Sequence, residues 1–214
     1  VISHFPPHEI YCEPFGGGAS VLLRKPRSRG EVYNDIDGRI VNIFRVMQDP
    51  AKAEQLAARL YFTPYSRQEY YDCFKDAPED DPIEQARQMI VRSFMGFGSN
   101  AITRKSPQGF RSRPSGGYFP SREWATYPEL LRGFTERLRG VVLDNRDAKR
   151  VMTAYDAETA LHYVDPPHLA GLRDKTNAKK SYAHEMTDDE HAELCEFLKT
   201  LSGMVVLSGY DNDI

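Results

Sequence analysis

Residues Asp165, Pro166, Pro167 and His168 place a carboxylate next to two prolines, directly after the apolar run 161–164. Because proline has no backbone N–H, this corner lacks two hydrogen-bond donors, and its carbonyl groups remain free acceptors beside the carboxylate. A rigid corner that offers only acceptors suits an NH2 group. The same residues are also typical of a plain turn that ends a strand, so the motif alone leaves both interpretations open.

Further candidate groups follow other apolar runs. The first run leads into a glycine-rich turn that comprises Pro14, Phe15, Gly16, Gly17 and Gly18. Such a turn lets a ligand approach the backbone and exposes amides at a helix start, although it is also a common connector. Asp35 and Asp147 follow two other runs, and either can hydrogen-bond a ligand or cap the next helix. The glycine spacing fits neither a P-loop nor a full dinucleotide-binding fingerprint.

The segments that must position these groups alternate between short apolar runs and helical spacing. Five runs predict strands, at residues 9–12, 31–33, 141–143, 161–164 and 204–207. The first strand, the glycine turn, a helix predicted to start within 19–23 and the second strand form a βαβ pattern, which implies a right-handed parallel unit. Because ligands bind beyond the carboxyl ends of parallel strands, we expect the glycine turn, Asp35, Asp147 and Asp165 to converge.

Helical signals dominate the middle of the chain. They are the helix starts Asp49-Pro50, Ser66 with Glu69, and Asp81-Pro82. Residues 98–121, rich in Gly, Ser, Pro and Arg, predict a long loop or irregular hairpin before a helix over 129–138. The predicted architecture is an α/β domain of residues 1–49 and 131–214, interrupted by a mainly helical insertion of residues 50–130.

Charge is unevenly distributed along the chain. Residues 85–122 contain no Asp or Glu but hold seven basic residues, namely Arg87, Arg92, Arg104, Lys105, Arg111, Arg113 and Arg122. Since the whole chain carries −3, the remainder carries −10 once this charge of +7 is removed. Such a segment can neutralise phosphates, and basic side chains on its loop can reach guanine edges. A solubilising surface loop is the alternative interpretation.

Composition excludes several other classes of protein. No apolar run approaches the roughly 18 residues that span a bilayer, and the first residues lack the pattern of a signal peptide. Cys12, Cys73 and Cys195 are odd in number and widely spaced, which suits free thiols in a reducing compartment. No His or Cys cluster indicates zinc. The chain starts without Met and stops just after an apolar run, so we expect a fragment truncated at both ends.

Five segments, in their order along the chain, make a larger pattern. They are EPFGGGAS at 13–20, NDID at 34–37, RDA at 146–148, DPPH at 165–168 and VLSGY at 206–210. This pattern resembles the Dam-type family of DNA adenine methyltransferases, which use S-adenosylmethionine. The resemblance implies a Rossmann-like methyltransferase sheet with helices on both faces, interrupted by a helical insertion that recognises the DNA target.

The resemblance also implies a role for each candidate residue. The cofactor-binding residues would be Pro14, Phe15, Gly16, Gly17, Gly18, Asp35, Ile36, Asp147, Ala148 and Asp165. The catalytic residues would be Asp165, Pro166, Pro167 and His168. The DNA-binding residues would be Arg104, Lys105, Arg111, Arg113 and Tyr118. His168 departs from the family, which usually has an aromatic residue, most often Tyr, to stack on the target base.

The expected reaction is site-specific transfer of a methyl group to the exocyclic amine of an adenine flipped out of double-stranded DNA. We expect a monomer without metal, in the cytoplasm of a bacterial or phage-infected cell, where a restriction nuclease could accompany it. Two alternatives remain at this stage. One is a methyltransferase acting on an RNA base or a protein amide, in which Asn often replaces the residue at Asp165. The other is a DNA-binding remnant whose catalysis is impaired.

Overall fold

A computed structural model describes residues 1–75, 77–97, 107, 109–112, 119–167 and 186–209. The strands within these ranges are β1 (Ile10–Glu13), β2 (Gly30–Asn34), β3 (Val141–Asp144), β4 (Ala160–Val164) and β5 (Met204–Leu207). The helices are α1 (Gly38–Gln48), α2 (Pro50–Tyr61), α3 (Arg67–Asp72), α4 (Pro82–Met95), α5 (Pro120–Leu138), α6 (Ala148–Ala154) and α7 (Asp188–Leu198). A single 3-10 turn, Ile2–His4, precedes β1.

The five strands form one sheet in the order β3-β2-β1-β4-β5, and each neighbouring pair is parallel. All five predicted strands are confirmed within one or two residues at their ends. The chain moves from β1 outward to β2 and β3, and then returns past β1 to β4 and β5. The strand order therefore reverses at β1, and open parallel sheets bind ligands beyond the carboxyl ends at such a reversal.

Helices α6 and α7 cover one face of this sheet. Cys12, Val32 and Val164 point to that face and form a buried cluster with Val151 of α6 and Leu194 of α7. Fully burying an apolar side chain of this size contributes roughly 1.5–3 kcal/mol. The crossovers from β3 to β4 and from β4 to β5 run in the same direction along the sheet. Right-handed crossovers of one direction lie on one face, which explains why both helices are found there.

The other face is lined by Tyr11, Glu13 and Tyr33, which alternate along β1 and β2 with the side chains of the first face. The segment 14–29, between these strands, packs on it, and the Lys25 ammonium lies 4.5 Å from the centre of the Tyr11 ring. The connection from β2 to β3 runs along the sheet in the opposite direction. The handedness rule accordingly places the start of α1 on this second face.

The helix predicted within residues 19–23 is wrong, because these residues form hydrogen-bonded turns instead. The backbone φ angles of Gly17 and Ala19 are +47° and +51°, in the left-handed region that a right-handed helix cannot include. Strands β1 and β2 are nevertheless parallel, as predicted, with turns in place of the helical crossover. Ala19 is the one non-glycine residue with this conformation in the described ranges, and such strain clusters at functional sites.

The chain divides into two compact units, one formed by Val1–Val41 with Gly140–Ile214 and the other by Asn42–Arg139. The first contains the sheet. The second is helical, and in it α2 packs against both α4 and α5. It begins earlier and ends later than the predicted insertion of residues 50–130, and the function assigned to that insertion stays a prediction.

Side-chain caps start the helices of this unit where the sequence predicts them. Asp49 accepts hydrogen bonds from two backbone N–H groups in the first turn of α2, and Asp81 accepts one in α4. Ser66 likewise accepts from the Glu69 N–H at the start of α3. Caps of this kind typically contribute about 1 kcal/mol, because they satisfy amides that have no partner within the helix.

Helix α5 is longer than predicted, since it begins at Pro120 and continues through Pro128. An internal proline normally argues against a helix, which is why the sequence pattern gave a start near 129. The added turns are held by Trp124, which is 4% exposed and whose indole N–H donates to the Thr63 carbonyl over 2.8 Å. Burial of this large side chain outweighs the local preference.

Candidate functional site

The loops beyond β1, β2 and β3 are joined by hydrogen bonds at the carboxyl edge of the sheet. The Gly16 N–H donates to the Asn34 carbonyl over 2.8 Å, which holds the glycine turn against the end of β2. The Gly17 N–H donates to Asp35 Oδ2 over 2.9 Å. From the other side, the Asn145 amide donates to the Asp35 carbonyl over 2.7 Å. The structure therefore brings the glycine turn, Asp35 and the loop after β3 together at one edge.

The three positions of the turn differ in why each of them is a glycine. A Cβ atom on Gly16 would lie 2.0 Å from the Tyr33 ring, so ring packing requires glycine there. Gly17 has the φ of +47° that favours glycine. Gly18 is exposed and has no such φ, and a Cβ atom on it would meet none of the described residues within 4 Å. Its side toward solvent is therefore open for a ligand.

Asp35 and Asp147 both bond to nearby backbone amides. Asp35 accepts from the Gly17 N–H through Oδ2 and from the Asp37 N–H through Oδ1, over 2.9 and 2.8 Å. Asp147 caps α6 by accepting from the Arg150 N–H over 3.1 Å. The cap interpretation of Asp147 is thus observed, while Asp35 also orders the glycine turn. Each carboxylate oxygen has more than one lone pair, so these bonds leave capacity for a ligand hydroxyl or amine.

Two other predicted cofactor residues lie beside these carboxylates in the chain. Ile36 is 49% exposed, which is unusual for an isoleucine between a buried strand and a helix. Ala148 is the first residue of α6 and is half-buried. Pro14 is buried and Phe15 half-buried at the start of the glycine turn. Apolar groups thus accompany the carboxylates, as a ligand with both polar and apolar parts requires.

Glu13 is a buried carboxyl that the sequence reasoning did not single out as a site residue. It ends β1, is 2% exposed, and its Oε2 accepts from the Tyr11 hydroxyl over 2.8 Å and the Leu22 N–H over 3.0 Å. Burial raises the pKa of Glu13 to about 7, these two hydrogen bonds oppose the rise, and the Asp165 carboxylate adds to it. The bond to Leu22 ties the far end of the glycine turn to β1.

Asp165 follows β4 and is exposed, whereas Pro166 is buried and Pro167 half-buried. The phenol of Tyr163, two residues earlier, lies 3.5 Å from Asp165 Oδ2, at the limit of a hydrogen bond. An exposed carboxylate on a backbone anchored by a buried proline is accessible to a ligand. His168, the fourth predicted catalytic residue, lies outside the described residues.

Sequence reasoning also missed two asparagines, Asn34 and Asn145, that connect these loops. Asn34 ends β2, is fully buried, and bonds to Pro14 of one loop and Arg146 of another. The Arg146 partner is 112 positions away in sequence, so no local spacing indicates it. The one available signal was the position of Asn34 directly before Asp35.

Of the predicted DNA-binding residues, Arg104, Lys105, Arg113 and Tyr118 lie outside the described residues. Arg111 is described, and its guanidinium lies 3.8 Å from the Glu123 carboxylate with a side chain 35% exposed. A phosphate would compete with the Glu123 carboxylate for the Arg111 guanidinium. Arg111 is therefore accessible, although it is not a free cation.

The stem of the predicted loop is an antiparallel bridge in the helical unit. The Phe97 N–H donates to the Gly109 carbonyl over 2.9 Å, and the Arg111 N–H donates to the Met95 carbonyl over 2.7 Å. The Tyr65 hydroxyl donates to the Arg111 carbonyl over 2.5 Å. The bridge thus joins described residues that lie, in sequence, on either side of Arg104 and Lys105.

Arg87 and Arg92 do not belong to the basic surface that the charge pattern predicts. Arg87 donates to Glu69 over 2.6 Å and to Glu84 over 2.7 Å, with a side chain 14% exposed. Arg92 donates to the Cys73 carbonyl over 2.6 Å. Both lie on α4, where they connect it to α3, so their guanidinium groups are engaged within the helical unit.

An open parallel sheet with a strand-order reversal, and with a glycine turn and carboxylates beyond its strand ends, defines the Rossmann-like class of α/β enzymes. Within that class, residues 1–214 match the family described as D12 class N6 adenine-specific DNA methyltransferase, and the chain belongs to this family. The predicted fold class, family and activity, adenine methylation of DNA, are confirmed. No curated protein matches the chain.

The family's activity sets the coarse chemistry of the site. Methyltransferases generally take the methyl group from S-adenosylmethionine, and this family acts on DNA. Within the described ranges, no group of three or more His, Cys, Asp or Glu side chains is arranged to hold a metal ion. No helix in those ranges is both long and apolar enough to cross a membrane.

Proposed function

We propose that the chain transfers a methyl group from S-adenosylmethionine to the N6 amine of an adenine flipped out of double-stranded DNA. The observation that carries this proposal is the position of Asp165-Pro166 beyond β4, next to the strand-order reversal of the sheet. The glycine turn follows β1, which is the strand paired with β4. The target amine and the cofactor would therefore meet between these two strand ends.

The chemical character of the edge fits S-adenosylmethionine. Bound there, the cofactor would supply an electrophilic methyl group on a positively charged sulfonium. The carboxylates of Asp35, Asp147 and Asp165 belong to this edge and favour a cationic ligand. The open side of Gly18 leaves room for close approach to the backbone. By the family resemblance, residues 14–18 would hold the methionine part.

The adenosine part would lie at the neighbouring strand ends. Asp35 would accept hydrogen bonds from the ribose hydroxyls, and the exposed side chain of Ile36 would pack on the sugar or the base. Asp147 and Ala148, at the start of α6, would contact the adenine ring. These assignments follow the family resemblance and agree in polarity with the groups found at each strand end.

Asp165 and the Pro166 carbonyl would act on the target amine. The lone pair of this amine is delocalised into the adenine ring, which makes it a poor nucleophile. Two acceptors that take its two N–H hydrogens would localise the lone pair and direct it toward the methyl group. Catalysis would then come from orientation and electrostatics, which together can contribute several orders of magnitude in rate. His168 would stack on the flipped base with less area than the usual Tyr.

Recognition of DNA would fall to the helical insertion. Its predicted loop leaves from a fixed stem and carries Arg104, Lys105 and Arg113 in sequence. Arg111 and Tyr118 would add contacts to phosphates or bases. None of these steps requires a Lewis acid, so we further propose that the reaction is independent of metal. We also propose a monomer in the cytoplasm of a bacterial or phage-infected cell. Activity that survives EDTA, and a single monomer mass by light scattering, would support this.

The experiment that tests the proposal pairs Asp165→Ala with Glu158→Ala. Both residues are exposed carboxylates that flank β4, but Glu158 precedes the strand and Asp165 follows it. Transfer of label from S-adenosylmethionine to DNA should fall by at least about a thousandfold in Asp165→Ala. DNA binding should stay unchanged, and Glu158→Ala should behave as the wild type. Undiminished labelling in Asp165→Ala would overturn the mechanism.

A further inference from the structure

We propose that Asn34 and Asn145 are positioning residues that set the spacing between the three loops of the cofactor site. The proposal rests on the proposed function, which assigns the methionine, ribose and adenine parts of the cofactor to the loops after β1, β2 and β3. Neither asparagine needs to touch the cofactor for this role. Each holds the backbone that presents the groups that do.

Asn34 is placed where one side chain can reach both neighbouring loops, because β2 lies between β1 and β3. Its Nδ2 donates to the Pro14 carbonyl over 2.9 Å and to the Arg146 carbonyl over 3.0 Å. Its Oδ1 accepts from the Arg146 N–H over 2.9 Å. The side chain is fully buried, and its bond to the Pro14 carbonyl is shielded from competing water, while the two bonds to Arg146 are partly buried.

The geometry explains why the residue is asparagine. The side-chain amide makes two reciprocal bonds with the Arg146 backbone, two residues beyond Asp144, the last residue of β3 that pairs with β2. Only a planar group with both donors and an acceptor can do this. Aspartate has nearly the same shape but no donor, and it would leave the Pro14 and Arg146 carbonyls facing a carboxylate.

Asn145 makes the reciprocal connection from the β3 side. Its Nδ2 donates to the Asp35 carbonyl over 2.7 Å and to the Ile36 carbonyl over 3.1 Å. A Cβ atom on Gly38 would lie 3.1 Å from Asn145 Oδ1, so the small residue at the start of α1 makes room for this side chain. Together the two asparagines fix the loop after β2 to those on either side of it.

A change in this spacing should affect a ligand that spans the three loops more than the reaction that follows. The cofactor must contact all three loops at once, so its binding depends on their separation. The acceptors for the target amine are on a different strand end, after β4. Loss of either asparagine's donors should therefore raise the KM for S-adenosylmethionine and leave kcat and the KM for DNA nearly unchanged.

The test compares Asn34→Asp and Asn145→Asp with the matched control Asn42→Asp. Asn42 also donates to a loop carbonyl, that of Pro82 over 2.8 Å, but it belongs to the helical unit. We expect both test variants to raise the Kd and KM for S-adenosylmethionine by about tenfold or more, with kcat at saturation within about threefold of the wild type. The control should change neither. Asn145 is only half-buried, so its variant remains informative if Asn34→Asp does not fold.

A merely structural role would give a different result, because partial unfolding lowers the active fraction and reduces kcat at unchanged KM. That pattern, or wild-type cofactor affinity in both folded variants, would overturn the proposal. The wild type serves as the reference for the proposed function. If it binds no S-adenosylmethionine, the proposed function fails and the positioning role fails with it; if it binds and the variants bind equally well, only the positioning role fails.

Discussion

At the scale of single residues, the glycines of the turn differ in whether the fold itself requires glycine at that position. Gly16 is required by the Tyr33 ring, whereas Gly18 has neither a crowded side nor a left-handed backbone. Three consecutive glycines read as one motif in the sequence. In the structure they are separate cases, and among the described residues neither crowding nor backbone conformation requires glycine at Gly18.

The pair Gly16→Ala and Gly18→Ala tests this separation. Gly16→Ala should lower the free energy of unfolding by about 1–3 kcal/mol, because the added Cβ atom overlaps the Tyr33 ring. Gly18→Ala should unfold like the wild type and yet bind S-adenosylmethionine about tenfold more weakly. Denaturant unfolding and calorimetry would measure both effects. Wild-type cofactor affinity in Gly18→Ala would contradict the placement of the cofactor against this turn.

Glu13 predicts a pH dependence of stability. Burial raises the pKa of Glu13 to about 7 in the folded chain, while the unfolded chain keeps an ordinary value near 4.5. The folded state therefore holds its proton more tightly, and the stability present at pH 4.5 is lost as the pH rises through about 7. Glu13→Gln cannot ionise and should not show this loss.

The measurement is urea unfolding of the wild type and Glu13→Gln between pH 4.5 and 8. The wild type should lose up to about 3 kcal/mol relative to the variant across this range. Parallel pH profiles for the two proteins would show that Glu13 does not titrate in this range. Gln keeps an acceptor for the Leu22 N–H, which limits any general loss of stability in the variant. A loss that is equal at every pH would not imitate the predicted difference between the two pH profiles.

At the scale of elements, the stem of the basic loop is held by its backbone bridge, by the Tyr65 hydrogen bond and by aromatic packing. The Phe110 ring lies 5.1 Å from the Tyr65 ring and 6.1 Å from the Tyr70 ring, measured between centres. The Arg67 guanidinium lies 5.1 Å from the Phe110 ring. These groups hold Phe110 and Arg111, the described residues next to the basic segment in sequence.

Tyr65→Phe should weaken DNA binding without touching the cofactor site. The change removes the hydroxyl that donates to the Arg111 carbonyl and keeps the ring packing. We expect a loss of about 1 kcal/mol in stability and a several-fold rise in the KM for DNA, with the Kd for S-adenosylmethionine unchanged. Tyr61→Phe, at a position 69% exposed, is the matched control. An unchanged KM for DNA would show that the Tyr65 hydrogen bond to the stem does not affect DNA recognition.

The elements that the sequence predicts well are those with strong local signals. The strands follow from short apolar runs, and the starts of α2 and α4 follow from Asp-Pro caps. The helix predicted within 19–23 fails because Gly17 and Ala19 adopt left-handed backbone angles that composition does not reveal. The start of α5 was missed because the burial of Trp124 outweighs an internal proline.

The candidate site also has one part that local sequence signals predict and one part that they do not. The motifs beyond the strand ends are local, so the sequence places Asp35, Asp147 and Asp165 at one edge once the strands are known. The clamp by Asn34 joins residues 112 positions apart and needs the strand order β3-β2-β1, which spacing along the chain does not provide. Networks between loops are set by topology and long-range packing.

At the scale of the whole molecule, the charge of −3 is the sum of an acidic body and a basic segment. The structure refines this division, because Arg87 is paired with Glu69 and Glu84 inside the helical unit. The proposed DNA contacts therefore fall on the other basic residues of this segment. Such a distribution favours binding that depends strongly on salt.

Lys105→Gln and Arg87→Gln should separate loop charge from structural charge. Lys105→Gln should reduce the slope of log K for DNA against log salt by about 0.9, which is the contribution of one phosphate contact. Arg87→Gln should leave that slope unchanged and lower stability, because Glu69 and Glu84 lose their half-buried partner. Equal slopes for Lys105→Gln and the wild type would show that Lys105 does not contact a phosphate.

The central claim is that the acceptors at Asp165-Pro166 direct a methyl group to the N6 amine of adenine in DNA. The most direct measurement is nucleoside analysis of duplex DNA after incubation with the protein and labelled S-adenosylmethionine. We expect N6-methyladenine to be the labelled product, in one sequence context, and Asp165→Ala to yield none. Label in cytosine, or N6-methyladenine at the wild-type level with Asp165→Ala, would contradict it.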